Sequence, residues 1–406
     1  IDDIIEDINT DDFELIEGQT EDIANLEEAG DHSPVVKLVN YLIFDAVRQG
    51  ASDIHIEPDD NMTRVRYRVD GILFEALRPP HRMHSALVSR IKIMSQLDIS
   101  ERRLPQDGGI HVMMQGRPID LRVSTLPGPF GEKVVIRVID NRSVMVNLEK
   151  LGFDYDMLEE FKKMIARPNG ILLVTGPTGS GKSTTLYSAL SELNKPEVNI
   201  CTVEDPIEFN LRGINQFQVN EKIGFTFAAA LRSLLRQDPD IIMVGEIRDQ
   251  ETATIAVQAA LTGHLVISTL HTNDAAAAVT RLYNIGVEPY MVSATLIGVL
   301  AQRLVRKICT HCKESYSPAL HLRRLAGNAL DGVETFYRGK GCSKCRGTGY
   351  DGRIGIYELL VMTDSLRDMI VHGATLDQIR AEAIKGNMKT LRADGLSKIK
   401  AGVTTL

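Results

Sequence analysis

The stretch GILLVTGPTGSGKSTTLYSALSEL, residues 170–193, decides the architecture. An apolar run (170–175) leads into a glycine-rich loop, and a sequence of helical character follows it. The loop fits G-x-x-x-x-G-K-[ST] without a mismatch at Gly176, Gly181, Lys182 and Ser183. A strand–loop–helix unit of this kind turns successive backbone N–H groups, and the positive end of a helix, toward an anion. The candidate nucleotide-binding residues are therefore Gly176, Pro177, Thr178, Gly179, Ser180, Gly181, Lys182, Ser183 and Thr184. Lys182 suits the β/γ-phosphate charge of ATP, and the Ser183 hydroxyl suits Mg²⁺.

Working outward, short apolar runs at 199–203, 241–244 and 265–269 alternate with helical segments at 226–237, 249–261 and 275–284. That alternation predicts an α/β fold with a parallel sheet covered on both faces. Upstream, SPVVKLVNYLIFDAVRQG (33–50) predicts an amphipathic helix, with Ser33 at the N-cap and Pro34 in the first turn. ASDIHIEP (51–58) alternates as a strand, and TRVRYRVDGILFEAL (63–77) reads as a hairpin turned at Asp70-Gly71. A second helix is predicted over 85–100, with further strands at GRPIDLRVSTLP (116–127) and GEKVVIRVID (131–140). The predicted organisation is an acidic arm or linker (1–31), an α+β domain (32–140), a linker (141–151), an ATPase core (152–300) and a C-terminal region with the cysteines and closing helices (301–406).

Five further stretches carry chemistry. PDIIMVGEIRD (239–249) is an apolar strand ending in Glu246, where a carboxylate can polarise water or reach the Mg²⁺ shell. CTVEDPIEF (201–209) gathers Glu204, Asp205 and Glu208 at another strand end, a composition shared by metal-facing clusters and solvated turns. LTGHLVISTLHTNDA (261–275) brackets a strand with His264 and His271, candidates for sensing or polarising phosphate. Finally, CTHC (309–312) and CSKC (342–345) are two knuckles separated by 29 residues. Cys309, Cys312, Cys342 and Cys345 have zinc-ribbon spacing and would form a closed tetrahedral Cys₄ site, structural rather than catalytic. The fifth cysteine, Cys201, sits alone in an apolar run and reads as a buried thiol.

The charge is uneven. Residues 1–31 contain 13 Asp or Glu and no Lys or Arg; with the chain at −8, residues 32–406 carry a net +5. A body so mildly basic, with 5% aromatic residues and no Trp, gives no basis for nucleic-acid binding. No run of 18 or more uninterrupted apolar residues is present, so the chain is expected to be soluble. It starts with Ile1 and is expected to be a piece of a longer protein.

Taken in order, GPTGSGKST, TVEDPIE, VGEIRD and LTGHLVISTLHTNDA resemble the Walker A, Asp, Walker B and His boxes of the secretion ATPases that drive type II secretion and type IV pili. The resemblance covers about 32–403 and includes ASDIHIEP, RVRYRVDG and RLPQDGG. It implies a RecA-like P-loop ATPase domain with a smaller N-terminal α+β domain and an inserted zinc-ribbon-like subdomain. It also implies a homo-hexamer in which ATP binds between the two domains. Arg122 and Arg137 match arginines supplied by the N-terminal domain, and Arg232 and Arg236 match arginines near the nucleotide, although one turn apart they also suit a solvated helix face. The Asp-box glutamate, here Glu204, would serve Mg²⁺ or the water, and Glu246 would be the base. In the family, assembly and type II secretion motors carry two CxxC pairs and retraction motors lack them. The expected function is thus ATP hydrolysis that powers type IV pilus assembly through an inner-membrane platform protein, on the cytoplasmic face of that membrane. The type II secretion ATPase is the near alternative, and a nucleic-acid-translocating ring the distant one.

Overall fold

The computed structural model describes residues 13–15, 33–140, 146–326, 330, 333 and 335–406. Most of the acidic arm and the first part of the predicted linker (141–145) lie outside the described residues. The chain divides into two compact units, Ile1–Ser143 and Val144–Leu406.

In the first unit, the described elements run β1 (Phe13–Leu15), α1 (Pro34–Arg48), β2 (Asp53–Pro58), β3 (Thr63–Val69), β4 (Ile72–Leu77), α2 (His84–Met94), β5 (Gln106–Met114), β6 (Arg117–Leu126) and β7 (Lys133–Asp140). The strands form an antiparallel sheet of order β1-β5-β6-β7-β2-β3-β4. Strict alternation sorts its faces: in β3, Val65, Tyr67 and Val69 are buried, while Arg64, Arg66 and Arg68 point the other way. Leu38, Leu42 and Ile43 of α1 and Leu87 and Ile91 of α2 close over the apolar face. The Tyr67 hydroxyl donates to the Leu42 carbonyl at 3.0 Å, tying sheet to helix. The opposite face is polar, and it carries Arg122 and Arg137. The predicted 85–100 helix stops at Met94, because the chain turns into the left-handed region at Gln96 (φ 56°).

The second unit runs α3 (Tyr155–Ile165), β8 (Gly170–Thr175), α4 (Lys182–Leu193), β9 (Ile200–Glu204), β10 (Asn215–Gln218), α5 (Phe227–Leu234), β11 (Ile241–Val244), α6 (Gln250–Leu261), β12 (Leu265–Leu270), α7 (Ala275–Asn284), α8 (Pro289–Thr295), β13 (Leu296–Ile308), β14 (Lys313–Tyr316), α9 (Leu320–Ala326), β15 (Phe336–Gly339), β16 (Tyr350–Val361), α10 (Asp364–Val371), α11 (Leu376–Lys385) and α12 (Leu391–Lys400). The main sheet has the order β10-β9-β11-β12-β8-β13-β16 and is parallel except for the antiparallel edge strand β16. β8 explains the unbroken apolar run: Ile171 and Leu173 enter the layer formed with α6 and α7, and Leu172 and Val174 enter the layer formed with α3 and α4. The sheet does not end near residue 300. β13 crosses that position, runs to the first cysteine knuckle, and pairs along its length with β16, which starts after the second knuckle. The knuckles and the small β14–β15 sheet are therefore an insertion between two core strands.

Candidate active site

In a parallel sheet the carboxyl ends of the strands share one edge, and ligands bind there. β8 ends at Thr175, and the glycine-rich loop leaves it between β12 and β13. Two glycines are dictated by the turn. At Gly176 (φ 156°) a Cβ would come within 2.5 Å of Ser180 Oγ and 2.6 Å of the Gln302 carbonyl oxygen. Gly181 (φ 88°) occupies the left-handed region as N-cap of α4. Ser180 is buried, whereas Pro177, Thr178, Gly179 and Ser183 are exposed, so the loop offers an open cradle with the Ser183 hydroxyl accessible at its rim. Lys182 folds back over the loop, its Nζ donating to the carbonyls of Gly176 (2.9 Å) and Pro177 (3.2 Å). Burial lowers its pKa, against the opposing pull of Glu246.

Three strands bring charged groups to this edge. From β11, Gly245 leads to Glu246, whose carboxylate is 16% exposed and paired with Arg248 at 2.5 Å. From β12, His271 places Nε2 3.6 Å from Glu246 Oε2. Its pKa is lowered, first by burial and then by the Lys182 cation. Thr175 secures this turn: its hydroxyl donates to Leu270 O (2.9 Å) and accepts from Thr272 N (2.9 Å).

From β9 comes Glu204, and its setting differs from that of Glu246. Glu204 is 4% exposed. Its carboxylate accepts from Tyr187 Oη, from Thr202 Oγ1 (2.6 Å) and from Gln216 Nε2 (3.0 Å). Burial and the neighbouring Glu204 charge raise the Tyr187 pKa far above its ordinary value. Two carboxylates at adjacent strand ends thus occupy different environments, one partly exposed and ion-paired, the other enclosed by neutral donors.

The remaining predicted residues lie elsewhere. His264 precedes β12, at the end paired with Gly170, a strand length (roughly 20 Å) from the loop; its Nδ1 is 2.9 Å from the Ala259 carbonyl oxygen. Arg232 pairs with Glu251 at 2.5 Å, and Arg236 donates to the Arg232 carbonyl at 2.9 Å; both side chains are exposed, and neither of these bonds reaches the glycine-rich loop. Arg122 and Arg137 belong to the first unit, where Arg137 lies 3.4 Å from Asp53. Gln302 of β13, absent from the sequence expectations, is 1% exposed and binds the loop directly. A lone amide closing the apolar run LIGVLA gives no spacing signal.

The four clustered cysteines lie at the far end of the β13–β16 ladder, their sulfurs all within 4.8 Å of one another. Cys309–Cys342, Cys312–Cys345 and Cys342–Cys345 are 3.9, 3.7 and 3.6 Å apart. Disulfides would be near ~2 Å. Four sulfurs ~2.3 Å from one ion at tetrahedral corners would stand ~3.8 Å apart, so the spacing fits a tetrahedral metal. Backbone N–H groups of Gly341, Cys342 and Gly349 point at the sulfurs at 3.1–3.3 Å, as suits thiolates.

A phosphate loop at the carboxyl edge of a RecA-like sheet, with a carboxylate and an imidazole facing it, defines a P-loop ATPase. Residues 28–406 match the model of the Type II/IV secretion system protein family, and the chain belongs to that family. It is 52% identical over 413 residues to the type IV pilus assembly ATPase PilB of Myxococcus xanthus, covering 100% of this chain and 72% of the relative. It is 50% identical over 405 residues to the type II secretion system ATPase E of Vibrio cholerae, covering 99% and 80%. Among solved structures, that of the pilus retraction motor PilT with bound ADP matches with a TM-score of 0.60 and 28% identity, over 90% of this chain and 93% of the other. Among the described residues no helix is long and apolar enough to cross a membrane.

Proposed function

We propose that this secretion ATPase powers type IV pilus assembly, drawing pilin subunits from the membrane into a growing filament through an inner-membrane platform protein. It would act as a homo-hexamer on the cytoplasmic face of that membrane. The observation that carries the chemistry is the partly exposed Glu246 carboxylate facing His271 at the phosphate-loop edge. Glu246 orients and deprotonates the attacking water, after leaving its pairing with Arg248. Lys182 leaves the Gly176 and Pro177 carbonyls for the β/γ-phosphates, and Ser183 holds Mg²⁺, which neutralises phosphate charge when bound. His271, neutral near pH 7, reports the γ-phosphate to the β12 turn. Glu204 shapes the site from within: its carboxylate is committed to three donors and aligns β9 with α4.

Arg122 and Arg137 are proposed to complete the site with charge toward the γ-phosphate, with Arg232 and Arg236 acting nearby. His264 would act at a distance, through β12. The four cysteines are proposed to hold one structural Zn²⁺, a cluster that speaks against a retraction motor and is shared by the assembly and type II secretion motors of the family. The type II secretion ATPase is the second reading, favoured by the 50% identity to the Vibrio cholerae protein. Deleting the gene in its host and scoring surface pili and secreted enzymes separately tests the choice. Lost pili with intact secretion is expected; intact pili with lost secretion overturns the pilus assignment.

A further inference from the structure

Gln302 touches the phosphate loop at two points. Its Nε2 donates to the Ser180 carbonyl at 2.8 Å, and its Oε1 accepts from the Thr185 hydroxyl, in the first turn of α4, at 2.9 Å. The Thr185 bond sets the rotation of the amide, so that its donor side faces Ser180. Its backbone is held too: the Gln302 carbonyl accepts from Arg303 Nη1 at 3.0 Å, and Arg303 Nη2 reaches the Asn273 carbonyl beside the His271 turn at 2.8 Å. The loop packs tightly on this residue, since a Cβ on Gly176 would lie 2.6 Å from the Gln302 carbonyl oxygen.

The Ser180–Gly181 peptide is planar and trans, so its C=O and N–H point in opposite directions. Holding the Ser180 carbonyl against the Gln302 amide turns the Gly181 N–H away from that side chain. We infer that Gln302 is a positioning residue for the phosphate loop, aiming the Gly181 N–H at the phosphates of the bound nucleoside triphosphate. The inference rests on the ATPase reading of the site. An apolar side chain here would leave the buried Ser180 carbonyl without its donor and the peptide free to rotate. A glutamate would keep the Thr185 bond but oppose an acceptor to an acceptor.

The test is steady-state hydrolysis of Mg²⁺-ATP by the full chain, with Gln302→Glu and Gln302→Met alongside wild type, and melting temperature measured without nucleotide. Both variants are expected to raise KM for ATP roughly tenfold, as the loss of one buried hydrogen bond implies, with kcat changed only a few-fold. A folded Gln302→Glu with unchanged KM, or with only kcat reduced, overturns the inference. Inactive wild type would instead overturn the ATPase reading. Hydrogen exchange of the Gly181 amide in wild type needs no variant: rapid exchange without nucleotide and protection with ATP are expected. Protection without nucleotide would mean that the N–H is already bonded within the protein, and the inference falls.

Discussion

Arg122 and Arg137, fifteen residues apart in the chain, stand directly opposite each other across the β6–β7 ladder, on the polar face of their sheet. Like charges so placed destabilise an antiparallel pair by up to ~1 kcal/mol. Asp53 on β2 offsets part of this, 3.4 Å from Arg137. Two cations side by side on one sheet face suit a shared anion, the role proposed for both. Arg122→Ala and Arg137→Ala are expected to lower kcat on the order of 10³-fold, in the range of arginines that neutralise a transferring phosphoryl group. Neither should lower the melting temperature by more than about two degrees, and the double variant should lose less than the product of the singles. Unchanged kcat in both would remove them from the site.

Glu246 and Glu204 should separate cleanly. Glu246→Gln is expected to reduce phosphate release by more than ~10²-fold while retaining ATP binding. Tyr187→Phe, which strips one donor from the enclosed Glu204, should instead lower stability by about 1–3 kcal/mol, seen as a reduced denaturation midpoint. If Tyr187→Phe abolishes turnover without loss of stability, Glu204 takes part in the chemistry directly.

Acid should weaken the fold in two windows. His55, His84 and His271 all have pKa values below the ordinary 6.5, in each case chiefly through burial. The unfolded chain therefore binds protons first, so stability falls as pH drops below 6.5 toward the folded values, and levels off beneath them. Glu57 defines the second window. Burial pushes its pKa up, but hydrogen bonds from Arg66 and Lys133 outweigh this and hold it at about 2 instead of 4.5. Its contribution is present above 4.5 and is lost as pH falls toward 2. Melting curves across this range check both windows; a flat profile between pH 7 and 5 would contradict the first.

Metal removal should act locally. One zinc per chain is expected by elemental analysis. Stripping it with a strong chelator, or making Cys309→Ser, should expose residues 309–349 to proteolysis while nucleotide binding is retained. Loss of ATP binding in Cys309→Ser would show that the β13–β16 ladder passes damage from the knuckles to the loop.

Much of this was legible beforehand, because the relevant signals are local. The β8–loop–α4 unit, the strand ending at Glu246 and the cysteine spacing are each contained in a few dozen residues. β5 is not legible: in QDGGIHVMM, Gly108 and Gly109 mask its alternation. The end of helix α2 at Met94 is not legible either, because the left-handed turn at Gln96 has no side-chain signature.

The sequence by itself determined the chemistry on offer: a phosphate cradle, two strand-end carboxylates, two histidines around one strand, and four thiols. Only the tertiary structure decided their employment. It enclosed Glu204 and left Glu246 partly exposed beside Arg248, placed His271 at the loop and His264 a strand length away, and brought Gln302 against Ser180. The physical reason is that burial and register are set by neighbours on other elements, from Tyr187 and Gln216 around Glu204 to Gln302 against Ser180, more than a hundred residues away, and no local pattern encodes which element will lie alongside.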